Sequence, residues 1–221
     1  MAFDATGGDG VDCNGHGTHV ASTVGGSAYG VAPGVSVYGV KVLDCAGSGT
    51  FEDVIAGMDW VAANARRPAV ANMSLGGGAD PTVNAAATAL AGSGVFLAVA
   101  AGNESADACT RSPASADGVY TTAASAIDDT SASFTNTGTC VEGYAPGVDI
   151  TAAWIGGGTN TISGTSMASP HVAGVGALHK SANGDTDSAS LNSWIASHSA
   201  AGAISDAPPG TPGNVLQTAG L

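Results

Sequence analysis

The chain has little positive charge, no long apolar run and no closely paired cysteines. Lys and Arg together number 5 against 18 Asp and Glu, a formal net charge of −13. With no basic cluster larger than Arg66-Arg67, there is nothing to engage a run of phosphates, and nucleic acid is excluded as a partner. The acidity is that of a solvated surface. The longest apolar run, Val95 to Ala101, is far too short to cross a bilayer, so no membrane partner is expected. The opening residues Met-Ala-Phe-Asp-Ala-Thr-Gly-Gly hold neither the basic nor the apolar segment of a secretory leader, and an export signal would lie upstream. The absence of a Cys-x-x-Cys pair removes the zinc-ribbon and dithiol redox readings. Internal repeats, low-complexity tracts and long linkers are also missing; Ala-Pro-Pro-Gly-Thr-Pro-Gly at 207–213 is a turn-rich approach to the C-terminus.

What is present suits one α/β domain spanning 1–221. The 221 residues are 44% hydrophobic, enough for a buried core, and 34 glycines suit tight turns and close helix–sheet packing. Runs rich in β-branched residues at Val35–Leu43, Ala69–Leu75, Val95–Ala101, Val119–Ser125 and Val148–Ala152 are expected strands. Val54, Ile55, Met58, Val61, Ala62 and Ala65 follow a helical period, with Thr50 and Asp53 in a capping-box arrangement. Further helices are expected over about Thr82–Leu90 and through Val172, Val175 and Leu178. Such alternation predicts a mainly parallel sheet covered on both faces, which is why several strands are almost wholly apolar. The even count of cysteines at 13, 45, 109 and 140 fits two disulfides in any of three pairings, or four buried thiols in a reduced protein.

Three segments carry chemistry: Asn14-Gly-His-Gly-Thr-His-Val-Ala, Ala100-Ala-Gly-Asn103 and Ser163-Gly-Thr-Ser-Met-Ala-Ser-Pro-His-Val-Ala-Gly. A serine at a helix start sits where the helix terminus favours developing negative charge. A histidine titrates near neutrality and can take and return a proton. An asparagine at the C-terminal end of an apolar strand lies where α/β proteins build their sites. Taken together, these segments resemble the subtilase family of serine proteases, over nearly the whole chain from about Phe3. The resemblance implies a three-layer subtilisin-like α/β fold and a serine endopeptidase with Ser166 as nucleophile, His16 as general base and Asn103 as oxyanion donor; His19 is then structural.

The same resemblance assigns Ser74, Leu75 and Gly76 to the wall of the primary specificity pocket, Gly47, Ser48 and Gly49 to the other substrate-flanking segment, and Ala101 and Gly102 to substrate binding. The cysteine placing is similar to the proteinase-K and aqualysin branch. It implies disulfides Cys13–Cys45 and Cys109–Cys140, each worth roughly 3–4 kcal/mol in the chain-entropy model, and a secreted, extracellular monomer acting on proteins or peptides. No cofactor is needed for catalysis. The branch also implies a structural calcium on the carbonyls of Asp117 and Val119 and the carboxylate of Glu142, with Asp9 and Asp12 as a weaker second ion site.

One part of the pattern is missing. Subtilases carry an Asp well before the His, yet only 15 residues precede His16. Asp4, Asp9 and Asp12 are not assigned as that acid. The expectation is an N-terminally incomplete domain, lacking the acid, an interior strand and a propeptide, and therefore weakly active and prone to aggregate. Two rivals stand beside the protease reading: a subtilase-like module that binds peptides without cutting them, and a metal protein built on Cys13, His16 and His19.

Overall fold

The computed structural model describes residues 2–221. In chain order the elements are β1 (Phe3–Asp4), α1 (His16–Gly25), β2 (Val40–Lys41), α2 (Phe51–Asn64), β3 (Val70–Met73), β4 (Gly77–Gly78), α3 (Pro81–Gly92), β5 (Phe96–Ala100), a 3-10 turn at Ala108–Thr110, β6 (Arg111–Ser112), β7 (Tyr120–Ser125), β8 (Gly143–Pro146), β9 (Ile150–Ala153), β10 (Thr159–Ile162), α4 (Thr165–Asn183) and α5 (Ser188–His198).

The expected parallel sheet is present as β3-β5-β7-β8, with every neighbouring pair parallel. Side chains alternate across a strand, and β5 shows the consequence. Phe96 and Ala98 enter one core with Ala173 and Val175 of α4 and Leu191 and Ile195 of α5. Leu97 and Val99 enter the other, with Val54 and Met58 of α2 and Val83, Ala87 and Leu90 of α3. A strand buried on both faces has no polar side to show, hence the unbroken apolar run. The capping box at Thr50 and Asp53 forms, and α3 is opened by Asp80, whose carboxylate accepts from Thr82 and Val83 N–H groups.

Two expected strands are corrected. Val35–Leu43 is reduced to Val40–Lys41, which pairs only with Phe3–Asp4. A β-branched segment becomes a strand only where a ladder partner exists, and Val37 and Tyr38 are exposed instead. The Val148–Ala152 segment becomes β9, displaced to 150–153, and leaves the main sheet to form an antiparallel hairpin with β10. Among the described residues β3 has a strand neighbour on one side only. All four of its residues are only partly buried, whereas β5 is fully buried.

Both implied disulfides form, Cys13–Cys45 and Cys109–Cys140, with Cα–Cα separations of 5.0 and 5.2 Å. No free cysteine is found among the described residues.

Candidate active site

Ser166 is the second residue of α4. Pro170 lies inside that helix and has no N–H to give the carbonyl four residues earlier, which is that of Ser166. The Ser74 hydroxyl fills the role, donating to Ser166 O at 2.7 Å. Behind it Asn72 donates to Ser74 Oγ at 2.9 Å, and Ser169 donates to Asn72 Oδ1 at 2.5 Å. The Ser166 backbone is thus tied to the end of β3. Ser74 lies beneath Ser166 as a buried support, and Leu75, partly buried, and Gly76, exposed, line the cleft beside it.

Asn103 follows β5 at the C-terminal ends of the parallel strands. Thr165 N–H and Thr165 Oγ1 both reach Asn103 Oδ1, at 2.8 and 3.0 Å. A backbone N–H can only donate, so the amide orientation is fixed and its Nδ2 is left facing the start of α4. A Cβ placed on Gly164 would lie 3.8 Å from that nitrogen. Thr165 thus sets how the Asn103 amide is turned; it sits inside the Ser163–Gly174 motif, yet nothing in the residue order reveals this contact.

His16 is the first residue of α1. Gly15 before it has φ +103°, and a Cβ there would fall 2.3 Å from Trp154, so only glycine fits this approach. Asp12 braces the turn: Oδ1 accepts from Asn14 and Gly15 N–H groups, and Oδ2 from Thr18 N–H and Oγ1, at 2.6–2.9 Å. Burial pushes Asp12 up, but these donors prevail and hold it at about 2. All four lone-pair directions are filled, so Asp12 is no ion ligand. Asp4 is likewise engaged by Thr6 and Gly10. Burial holds His16 below the ordinary 6.5, His19 adds to the effect and Asp12 opposes it.

Among the described residues no carboxylate hydrogen-bonds His16, and no hydrogen bond joins His16 to Ser166. Ser166 Oγ donates to Ser74 O at 3.3 Å. The Cys13–His16–His19 metal reading is overturned. Cys13 is in a disulfide, and His19, fully buried, has Nε2 on Ile150 O at 3.0 Å. No cluster of three or more His, Cys, Asp or Glu suited to a metal occurs among the described residues.

Beside Ser166 opens a cleft of about 90 Å³, walled by Leu75, Gly76 and Gly77 on one side and Ala100, Ala101, Gly102 and Asn103 on the other. Glu104, Arg111, Ser112 and Ala114 also line it; sequence reasoning gave them no role. Gly47, Ser48 and Gly49 form an exposed turn outside this cleft. At the expected calcium position, Glu142 Oε2 accepts from Thr121 N–H and Val119 O from Asn192 Nδ2 at 3.2 Å. Burial, opposed by the Thr121 hydrogen bond, pushes Glu142 up to about 7. The free carboxylate oxygen and the carbonyls suit a hard cation.

The chain matches the Subtilase family profile (Peptidase_S8) over residues 3–216. Alkaline serine exoprotease A of Vibrio alginolyticus is 51% identical over 198 residues, covering 90% of this chain and 37% of that protein. The extracellular serine proteinase of Thermus sp. (strain Rt41A) is 54% identical over 175 residues, covering 78% and 43%. The subtilisin-like serine protease Pen ch 13 of Penicillium rubens is 52% identical over 213 residues, covering 94% and 53%. This chain therefore spans about half or less of the length of these relatives. The crystal structure of a cold adapted subtilisin-like serine proteinase superposes with TM-score 0.96 at 47% identity, covering 98% of this chain and 80% of that one. By family match, by identity to these relatives and by fold, the chain belongs to the subtilase family.

Proposed function

We propose that the chain carries the acyl-transfer site of a secreted serine endopeptidase acting on proteins or peptides. Ser166 Oγ attacks the scissile carbonyl carbon while His16 takes its proton. The carbonyl oxygen, now an oxyanion, accepts from Asn103 Nδ2 and from a backbone N–H near Ser166. Collapse expels the amine with the proton from His16, and water then hydrolyses the acyl-enzyme with His16 again as base. The observation that carries this reading is the double hydrogen bond from Thr165 to Asn103 Oδ1, which fixes the amide's orientation and leaves Nδ2 free to donate to a substrate oxygen. Secretion is supported by the two disulfides and by the extracellular Thermus relative.

The test is covalent labelling of the folded chain by a fluorophosphonate, with Ser166→Ala and His16→Ala as comparisons. Labelling is expected to require both residues. Because burial holds His16 below its ordinary value, the labelling rate should rise with pH through a pKa under 6.5 and level off above it. A midpoint at or above 7, or labelling that survives in His16→Ala, contradicts the assignment of the base. The rival, a peptide-binding module without turnover, is favoured by the lack of a hydrogen bond between His16 and Ser166. A folded chain that binds peptide but takes no label would establish it.

We also propose a structural calcium held by the carbonyl oxygens of Asp117 and Val119 and by Glu142. Calcium at a hundred-fold above its Kd should stabilise the fold by about 2.7 kcal/mol, seen as a Tm several degrees above that in EGTA. Glu142→Gln should erase the difference; equal Tm values in calcium and EGTA for the unaltered chain would remove the site.

A further inference from the structure

With no hydrogen bond between His16 and Ser166, and no carboxylate on the imidazole among the described residues, the relation of the two side chains is set by how the starts of α1 and α4 are held to each other. The β9–β10 hairpin reaches both. Its second strand leads from Ile162 through Ser163 and Gly164 directly into α4. Two bonds pin that exit: Gly164 N–H donates to Gly147 O and Asp149 N–H to Ser163 Oγ, each at 2.8 Å. Its first strand lies along α1, where Ile150 O meets His19 Nε2 at 3.0 Å and Ala153 N–H donates to Ser22 Oγ at 3.2 Å.

Both of those bonds grip α1 further along the helix than His16. At the turn that presents His16, the hairpin is represented by Trp154, the residue next after β9. Its indole fills the space that a Gly15 side chain would take: a Cβ there would fall 2.3, 2.4 and 2.9 Å from Cε2, Cζ2 and Cδ2. Gly15 is the buried N-cap of α1 and brings no side chain of its own to that position, so the ring supplies the packing. The ring also meets His19 edge to face, with centroids 6.1 Å apart at 74°. Trp154 N–H donates to Gly158 O at 2.8 Å, so the indole is borne on a closed hairpin turn.

We propose that Trp154 is a positioning residue for the base: its ring, seated on Gly15, holds the β9–β10 hairpin against the turn that presents His16, and so sets the imidazole relative to Ser166 at the hairpin's other end. The inference rests on the reading of Ser166 as nucleophile and His16 as base. Trp154 acts through His16 and not on the reacting atoms. A catalytic group displaced by about 1 Å loses on the order of 10² in rate, and that is the size of effect expected when the ring is removed.

Rates of covalent labelling, normalised to folded protein, test it with two probes. A small alkyl fluorophosphonate engages Ser166 and the oxyanion position alone, whereas a peptidyl diphenyl phosphonate also fills the cleft. Trp154→Ala should lower both rates by the same factor, about 10². Trp154→Phe, which keeps a flat ring on Gly15, should restore most of each. Should the alanine variant fail to fold, Trp154→Leu keeps apolar volume without the flat face and should show the same loss. A folded variant without the ring that labels at the parent rate overturns the proposal. So does a loss confined to the peptidyl probe, since the ring would then be touching substrate, and so does a loss that phenylalanine leaves unrepaired. Absence of labelling in the folded parent, or labelling that survives in His16→Ala, overturns the reading of the site and this inference with it. Labelling that needs His16 but not Trp154 overturns this inference alone.

Discussion

Purified as 221 residues, the chain is expected to hydrolyse peptide p-nitroanilides about 10⁴-fold more slowly than a subtilase with a complete Ser-His-Asp site, and Ser166→Ala should lower that remaining rate only by about two orders of magnitude. The reason is the state of His16. Asp12 is the acidic residue that acts on its charge, but both Asp12 oxygens face the N–H groups of the α1 turn, so among the described residues no carboxylate hydrogen-bonds the imidazole to fix its tautomer or steady the imidazolium. In subtilisin the loss of the acid alone costs about 3 × 10⁴ in kcat, against about 2 × 10⁶ for the serine or the histidine. The quotient of those figures sets the expected size of the Ser166→Ala effect. What survives comes from oxyanion stabilisation and binding, so Asn103→Ala should lower the remainder as well, by about 10²–10³. Initial rates normalised to folded protein decide the matter. Turnover at the level of ordinary proteases would mean that another group takes the role of the acid.

The three central residues were legible because each stands in a short segment whose composition has a chemical purpose. What holds them was not. Thr165 lies between Gly164 and Ser166 and reads as an ordinary helix-start residue until its two bonds to Asn103 are seen. Ser74 reads as pocket lining, but its hydroxyl replaces the donor that Pro170 lacks. Glu104 and Arg111 are seven positions apart with a 3-10 turn between them and no period to link them, yet both line the cleft. Loop-mediated proximity of this kind has no local sequence signal.

The fold divides in the same way. Segments buried on both faces, such as β5 and β7, announce themselves by unbroken apolar or small residues, and α2 by its capping box. By contrast, Val35–Leu43 has strand composition and mostly no ladder partner, because composition records fitness for a pleated surface and not the presence of a neighbour. Small residues (Gly, Ala, Ser and Thr) make up six of ten positions in α1, and Ala and Ser six of eleven in α5, and blur the helical period, so these two helices leave little trace. β8 ends on Pro146, a residue that argues against a strand in sequence and is tolerated at the sheet's edge.

Asp185→Ala should destabilise the domain by about 3 kcal/mol, roughly 6–12 °C in Tm for a chain of this size. Lys180, near the end of α4, has only 2% of its side chain exposed. Its ammonium donates to Gly94 O at 2.9 Å and to Asp185 Oδ1 at 3.1 Å. The other Asp185 oxygen accepts from Arg67 Nε at 2.6 Å. Asp185 thus joins a buried cation to a half-exposed one and ties α4 to the loops before β3 and β5. Burial lowers the Lys180 pKa, and Asp185 opposes it; removing the carboxylate leaves an enclosed charge with one carbonyl as its acceptor. The Arg67 hydrogen bond, more than Lys180, holds the Asp185 carboxyl below its ordinary value. A lowered carboxylate pKa contributes stability that is fully present above the unfolded value near 3.8 and lost as pH falls through the folded one, so the variant should differ from the parent at neutral pH and converge with it in strong acid. A buried charge is the cause, so removing the charge should remove most of the penalty. Lys180→Met combined with Asp185→Ala is therefore expected to recover most of the lost Tm. A double variant as unstable as the single one would show that the loss comes from the loop ties through Arg67 and not from the ammonium left unpaired in the core.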